Sequence, residues 1–378
     1  MTRRERLKAS LRGEPVDRPA VSFYEIGGWR LNPDDPDPFS IYNDPSWRPL
    51  IELAEETDII WMCGPGVVTP ADNRYAEFFK TEIWEEGNRR FTRITCEVAG
   101  RTMTIRTRKD AEVNTTWRLE HLLKDVDDLK AYLEIPDEVW IRDYDVAPLI
   151  QKDEQIGDRG IVSVDTADPI CIAADLFSME DFTVIAFTER ELFHKLLEKV
   201  AKPIYRKVEQ VARDFPGHLW RICGPEYAAE PYLPPSLFEE YVVRYTKPMV
   251  DTIRKYGGYP RIHCHGRIKS ALPYFVEMGA TATDPIEPPP QGNVDLGWVR
   301  REFGRELTLF GNIEVSDIEN MNPPEFERMV AKSLRDGTAG EGRGFVLMPT
   351  ASPYGRKITD TTMANYQTML RLATNFKG

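Results

Sequence analysis

The chain has 378 residues, 41% of them hydrophobic and 29% charged, with a formal net charge of −12 and a pI near 5.2. This is ordinary globular composition, of a length that suits two domains or one large α/β barrel. The acidic balance argues against nonspecific nucleic-acid binding, which needs a basic face, and no apolar run approaches the roughly 20 residues that cross a bilayer. Five scattered cysteines (Cys63, Cys96, Cys171, Cys223 and Cys264) include no CxxC pair, and the opening "MTRRERLKASLRGEPVDRP" lacks a signal-like apolar stretch. A reduced, cytoplasmic protein is the expectation.

In chain order, residues 2–12 read as a charged helix stopped by Gly13 and Pro15. "AVSFYEI" (20–26) is a strand candidate, a helix follows at 46–56, and "DIIWMCG" (58–64) is an apolar strand. Residues 82–108 alternate Thr, Ile and Arg and turn at "EGN" and "AG", which predicts an antiparallel hairpin or small sheet inserted in the fold. A short helix covers 125–136.

From residue 160 the rhythm becomes strand, then helix, six times over. Strands are predicted at 160–168, 218–225, 259–266, 280–287, 307–313 and 344–350, and helices at 170–214, 235–256, 267–279, 295–303, 323–336 and 359–375. Such alternation argues for right-handed βα units and a parallel sheet. No glycine-rich phosphate loop opens any of the helices, which weakens a nucleotide-binding sheet. The predicted fold is therefore a single-domain (β/α)8 TIM barrel over 1–378, with two less regular early units and the 82–108 β insertion in its N-terminal half.

Three stretches carry a family resemblance: "RERLKASLRGEPVDRPAV", "PPSLFEEYVVRYTKPMVDTIRKYGGYPRIHCHG" and "LFGNIEVSDI". Together they resemble the uroporphyrinogen decarboxylase superfamily, which includes corrinoid-dependent methyltransferases. The likeness runs from about residue 2 to the C-terminus, is weakest over 70–158, and implies a TIM barrel. Two features depart from the decarboxylases. Their Arg-Gln-Ala-Gly-Arg stretch after the first strand is here "YEIGGWRLNPD", with only Arg30, and their late Gly-His-Gly is here "LMPTASPYG". The methyltransferase relatives use His-x-Cys, a Glu 24 residues after the His, and a late Cys to bind zinc. Here His263 and His265 occupy the first pair, Glu287 stands 24 residues after His263, and the late Cys falls on Ala351. The resemblance thus implies a divalent metal, zinc in the relatives, on His263, His265 and Glu287, and a corrinoid carried by a partner protein.

Residues i and i+2 of a strand share a face, so His263 and His265 are expected to point inward and Cys264 outward. The strand's C-terminal end is the mouth of a barrel, where (β/α)8 enzymes react. Two imidazoles and a carboxylate leave an open coordination position, which suits catalysis, and the same set would also suit iron(II). A hydrogen-bonded pair of histidines and a surface carboxylate remain the bland alternatives. Other strand ends supply Asp165, Glu226, Tyr227 and Asn312 as candidate catalytic groups, each with an alternative role as a helix cap or turn residue. Tyr24, Glu25 and Trp29 after the first strand, and Tyr354 and Arg356 after the last, are candidate substrate contacts.

Three functions stay open from the sequence: metal-dependent methyl transfer, decarboxylation of a porphyrinogen or another carboxylated substrate, and tetrapyrrole binding without catalysis. A small-molecule substrate, no membrane or nucleic-acid partner, and a homodimer complete the expectations.

Overall fold

The computed structural model describes residues 1–28 and 31–377. Helix α1 (Arg3–Arg12) begins with a reciprocal capping box between Thr2 and Glu5, and it ends at Gly13 in the left-handed conformation. Eight strands follow: β1 (Ala20–Val21), β2 (Ile59–Cys63), β3 (Gly160–Ala167), β4 (Leu219–Cys223), β5 (Tyr259–His263), β6 (Ala282–Asp284), β7 (Thr308–Ile313) and β8 (Phe345–Pro349). All neighbours are parallel, in the order β1-β8-β7-β6-β5-β4-β3-β2. The two edge strands of this sheet are thus β1 and β2, which follow one another in sequence.

The sheet is curled. Ala20, Ile60, Met62, Ile161, Leu219, Ala282, Phe310, Val346 and Met348 form one buried cluster, joined by Tyr259 of β5 and by Leu7 and Leu11 of α1. Every strand contributes to it. In a flat sheet with strands about 4.8 Å apart, the outer strands of eight would lie roughly 34 Å from each other. The two edges meet through one residue. The Asp58 N–H donates to Val21 O at 2.7 Å, and the Val21 N–H donates to Asp58 Oδ2 at 2.9 Å. The fully buried Asp58 carboxylate also receives Arg6 at 2.6 Å and Arg18 at 2.8 Å. No regular ladder joins β1 to β2 among the described residues.

A second, larger core lies between the sheet and the surrounding helices. Asp168, Ser178, Asp295, Asn322 and Thr359 each cap one of those helices with a side-chain oxygen. Cys264 is buried in this outer core, on the side away from the sheet interior, as strand alternation requires. None of the helices among the described residues is long and apolar enough to cross a membrane.

Several predicted elements differ in the structure, among them the 170–214 helix, which is three helices, Pro169–Asp175, Met179–Thr188 and Arg190–Asp214. The stretch 20–26 keeps only two strand residues, because Tyr24 adopts φ 54° and a short helix, Glu25–Gly28, follows. The predicted hairpin is a four-stranded antiparallel sheet of Phe79–Glu86, Arg89–Val98, Arg101–Asp110 and Thr116–Glu120, turning at Gly87 and Gly100. The strands predicted at 259–266 and 280–287 end early, at His263 and at Asp284, where Pro285 cannot donate to the ladder. His265 and Glu287 therefore stand on loops beyond the strand ends.

Asp58 tests the closure. Asp58→Ala leaves Arg18 without a counter-charge and Arg6 with Asp17 alone, and it removes the bridge between the sheet's edges, so the expected loss is about 3–5 kcal/mol. Urea unfolding followed by circular dichroism measures it. A loss below about 1 kcal/mol, the scale of an exposed ion pair, would show that Asp58 does not hold the edges together.

Candidate active site at the carboxyl ends of the strands

Parallel register sets the inner face of the site in two layers. In the lower layer Asp165, Arg221 and Arg261 are aligned across β3, β4 and β5. Arg221 Nη1 donates to Asp165 Oδ1 at 3.0 Å, and Arg261 is almost completely buried over the Phe310 ring. In the layer above, Cys223, His263 and Asp284 are aligned across β4, β5 and β6. Arg261 Nε lies 3.2 Å from Asp284 Oδ1, and His263 Nδ1 lies 2.8 Å from Asp284 Oδ2. Burial by itself would raise the Asp284 pKa, but Arg261 and His263 outweigh it and hold the carboxyl well below its usual range. An ionised carboxylate only accepts, so Nδ1 of His263 carries the proton. Burial pushes the His263 pKa down to about 3, against the pull of Asp284. The ring is neutral, and its Nε2 bears a lone pair.

His265 lies edge-on to His263, with ring centroids 4.6 Å apart. Its Nδ1 donates to Glu287 Oε1 at 2.7 Å, and Glu287 Oε2 accepts the Gly266 N–H at 2.5 Å. Burial opposes the charge on both partners, yet their mutual hydrogen bond prevails: His265 is raised and Glu287 lowered. No described residue hydrogen-bonds Nε2 of either imidazole.

A divalent ion fits this set in donor chemistry, since both rings offer Nε2 while carboxylates fix Nδ1, which is how metal-binding histidines are commonly oriented. The predicted third donor does not fit. Glu287 has one oxygen on His265 and the other on the Gly266 N–H, so it orients an imidazole where a ligand was expected. Among the described residues, no three His, Cys, Asp or Glu side chains stand together in a metal-holding group. The physical reason is the early end of β6, which places Asp284 rather than Glu287 beside His263.

The other predicted residues divide in two. Tyr24 is buried and stacks on His263 at 6.0 Å, and the Arg221 guanidinium sits 5.6 Å from its ring. Glu226 follows Gly224, whose N–H donates to Glu226 Oε2 at 3.1 Å. Burial raises the Glu226 pKa against the charges of His265 and Arg221, so it stands within electrostatic reach of His265. Tyr227 is half-buried next to Glu226, and burial raises its pKa. Asn312 Oδ1, on β7, is buried without a partner. Tyr354 is half exposed, and after burial the charges of Glu25, Glu287, Glu319 and Glu314 raise its pKa, so its hydroxyl faces the acidic side of the mouth. Glu25 is felt by Tyr24, Tyr42 and Tyr354 alike.

Asp165 and Arg356 serve the framework. Asp165 is committed to Arg221 in the lower layer. The Arg356 guanidinium donates to Pro38 O at 3.1 Å, Ala111 O at 2.8 Å and Asn43 Oδ1 at 2.6 Å, tying the last loop to the inserted sheet. Trp29 lies outside the described residues.

Sequence reasoning missed Asp284, Arg221, Arg261 and Glu314. The first three announce themselves only through register. Glu314 follows "LFGNI" directly and could have been noted as a strand-end carboxylate. It is buried, accepts Thr350 Oγ1 at 3.0 Å through Oε2, and leaves Oε1 without a partner. Burial, reinforced by the charge of Glu287, pushes its pKa up to about 7.

A family model for uroporphyrinogen decarboxylase (URO-D) matches residues 100–375. Among solved structures, a methyltransferase from Methanosarcina mazei superposes with a TM-score of 0.58 over 99% of this chain and 98% of that chain, at 14% identity. A crystal structure of D-psicose 3-epimerase in the presence of D-fructose covers 64% of this chain and 77% of its own at 10% identity, with a TM-score of only 0.34. No curated protein matches the chain.

Glu314 gives the site a pH signature. Its folded pKa of about 7 exceeds the ordinary 4.5, so the folded state holds the proton more tightly than the unfolded state does. Stability therefore falls as pH rises from about 4.5 to about 7, and Glu314→Gln removes that slope. The variant should gain roughly 1–3 kcal/mol relative to wild type between pH 4.5 and 8. Urea unfolding at both pH values, on chelator-treated protein, measures the gain. Parallel behaviour of the two proteins would disprove the shift.

Proposed function

The chain belongs to the uroporphyrinogen decarboxylase family, and from that premise we propose that it is an enzyme of methyltransferase type, with a (β/α)8 barrel framework and its reacting centre at the His263–His265 pair. One observation carries the reading: both imidazoles are fixed through Nδ1 by a buried carboxylate while Nε2 is left without a protein partner. A divalent metal bound there, zinc by its preference for nitrogen and sulfur donors, would supply Lewis-acid activation of a thiol. His263 and His265 would hold it through Nε2, and open positions would remain for the thiol and water. The likeness to the Methanosarcina mazei methyltransferase supports the direction of the chemistry, and a methylated corrinoid on a partner protein is the proposed methyl donor.

The chain's own groups then have distinct tasks. Asp284, braced by Arg261, keeps His263 in one tautomer. Glu287, braced by the Gly266 N–H, does the same for His265. A thiol must lose its proton before it can accept a methyl group, and Glu314, with a pKa of about 7 and a free Oε1, is suited to receive it near neutral pH. Tyr24 closes the apolar side of the imidazoles.

Decarboxylation of uroporphyrinogen is less well supported. A substrate with several carboxylates needs several paired cations, whereas Arg221 and Arg261 already carry the charges of Asp165 and Asp284, with Arg221 Nε and Arg261 Nη1 still without a partner, and Arg356 is held by backbone and Asn43 oxygens.

The test uses zinc-loaded protein, free methylcobalamin and a small thiol under anaerobic conditions. Thiol-dependent loss of methylcobalamin should accelerate with the protein, and His263→Ala or His265→Ala should abolish both the acceleration and most of the bound zinc. Asp284→Asn should cost roughly 10–100-fold in metal affinity or rate. Absence of methyl transfer, together with conversion of uroporphyrinogen to coproporphyrinogen at an enzyme-like rate, would replace this reading by decarboxylation.

A further inference from the structure

Two of the five cysteines come together where β4 ends. Cys223 is the last residue of that strand, and Cys171 lies in the first turn of the helix Pro169–Asp175. Asp168 links their backbones. Its N–H donates to Cys223 O at 2.9 Å, and its Oδ1 accepts the Cys171 N–H at 2.8 Å. Its Oδ2 accepts Thr246 Oγ1 at 3.2 Å, and the residue is fully buried, so the link is held from three sides. Gly224 makes the close approach possible. A Cβ built there would fall 2.1 Å from Cys171 Cβ and 3.0 Å from Cys171 Cα, and its φ is 121°, so glycine alone lets the helix settle on the residue after Cys223.

The side chains meet as well. A hydrogen bond with the Cys223 thiol is the largest influence on the Cys171 thiol, and with burial and the charges of Asp168 and Glu226 it raises the Cys171 pKa. Cys223 has different neighbours. Its Sγ donates to Thr166 O at 3.6 Å, and it lies within electrostatic reach of the Lys207 ammonium and the Arg221 guanidinium. Both thiols are free and partly exposed. At Cys63, Cys96 and Cys264, in contrast, the leading influence is burial. A thiol beside cations is suited to attack, and a protonated thiol in contact with it is suited to resolve the product.

We propose that Cys171 and Cys223 form a site of reversible oxidation, closing to an intramolecular disulfide when the protein meets a hydroperoxide. The Cys223 thiolate attacks one peroxide oxygen, the O–O bond breaks, and a sulfenic acid and hydroxide form. The hydroxide takes up the proton that Cys223 released. The Cys171 sulfur then attacks the Cys223 sulfur and the S–O bond breaks, the departing hydroxide taking the Cys171 proton. Two thiols and one hydrogen peroxide thus give one disulfide and two waters, with two electrons passing from sulfur to oxygen. The bond would tie the helix to the strand end that leads into Glu226. It rests on the contact between the two thiols and needs neither a bound metal nor methyl transfer.

The experiment adds hydrogen peroxide to full-length protein that has been chelator-treated and reduced. Two of the five thiols should be lost, the intact mass should fall by two hydrogens, and peptide mapping should find Cys171 joined to Cys223. A small dithiol should restore both. Cys171→Ser should leave Cys223 as a sulfenic acid that dimedone captures, whereas in Cys223→Ser the Cys171 thiol should be oxidised about tenfold more slowly or less. Mapping of the wild-type protein decides the matter should either variant fail to fold. The proposal is overturned if peroxide joins other cysteines or two chains, if it drives Cys171 or Cys223 to sulfinic acid without forming the disulfide, or if Cys223→Ser loses the Cys171 thiol as fast as wild type does.

Discussion

Two carboxylates and two guanidiniums are enclosed by one curled parallel sheet, and everything at its mouth depends on how they cancel. Asp165 meets Arg221, and Asp284 meets Arg261. A curled eight-stranded sheet has an interior just wide enough for side chains, and here its lower part is filled by an apolar cluster resting on α1. The charged layers stand above that cluster, where Arg221, Arg261 and Asp284 are buried and Asp165 is partly exposed. A single unpaired member would be a buried charge without compensation, so the four are a set. The alignment of the strands brings them together: a one-residue slip between β4 and β5 would turn one of the arginines into the helix layer.

That compensation decides the chemistry available to the histidines. Because Arg261 keeps Asp284 ionised, Asp284 can only accept, and His263 must donate through Nδ1. Its Nε2 is then a lone pair in a buried, neutral ring. His265 reaches the same orientation by a different route, through a more exposed loop carboxylate, Glu287, that a backbone N–H holds in place. The two rings thus differ in charge preference while presenting the same atom. A site with two imidazole Nε2 atoms and a nearby acid of pKa about 7, Glu314, can both hold an electrophilic centre and take up a proton.

Most of the architecture was legible from period and punctuation. The six later strand–helix units stand where alternation placed them, because each buried strand is a short apolar run and several of the helices begin at a capping residue, as at Asp168, Asp295, Asn322 and Thr359. The inserted sheet was legible as period-2 patterning, although its extent was not, since Thr116–Glu120 joins the preceding strand, Arg101–Asp110, across an irregular register. At the site, the proximity of His263 and His265 could be read from their i, i+2 spacing at a strand end. The role of Glu287 could not, because sequence spacing does not say where a strand stops, and Pro285 stopped β6 at Asp284. Asp284, Arg221 and Arg261 lie inside strands that look merely apolar with an occasional charge. Only cross-strand register shows that these charges face each other.

The two ends of the sheet differ in charge. The mouth collects Glu25, Glu226, Glu287 and Glu314 around two imidazoles, while the opposite end leaves Arg300 and Arg343 without counter-charge. Parallel strands make such a separation natural, because all of their carboxyl ends, with the loops that follow them, lie on one side. Such a mouth suits a metal ion or cationic electrophile as the proposed reading requires, with Glu287 already paired to His265 and Glu314 taking up a proton near neutral pH. Charge distribution, together with the orientation of the two rings, is thus what the proposed group transfer at the imidazole pair rests on.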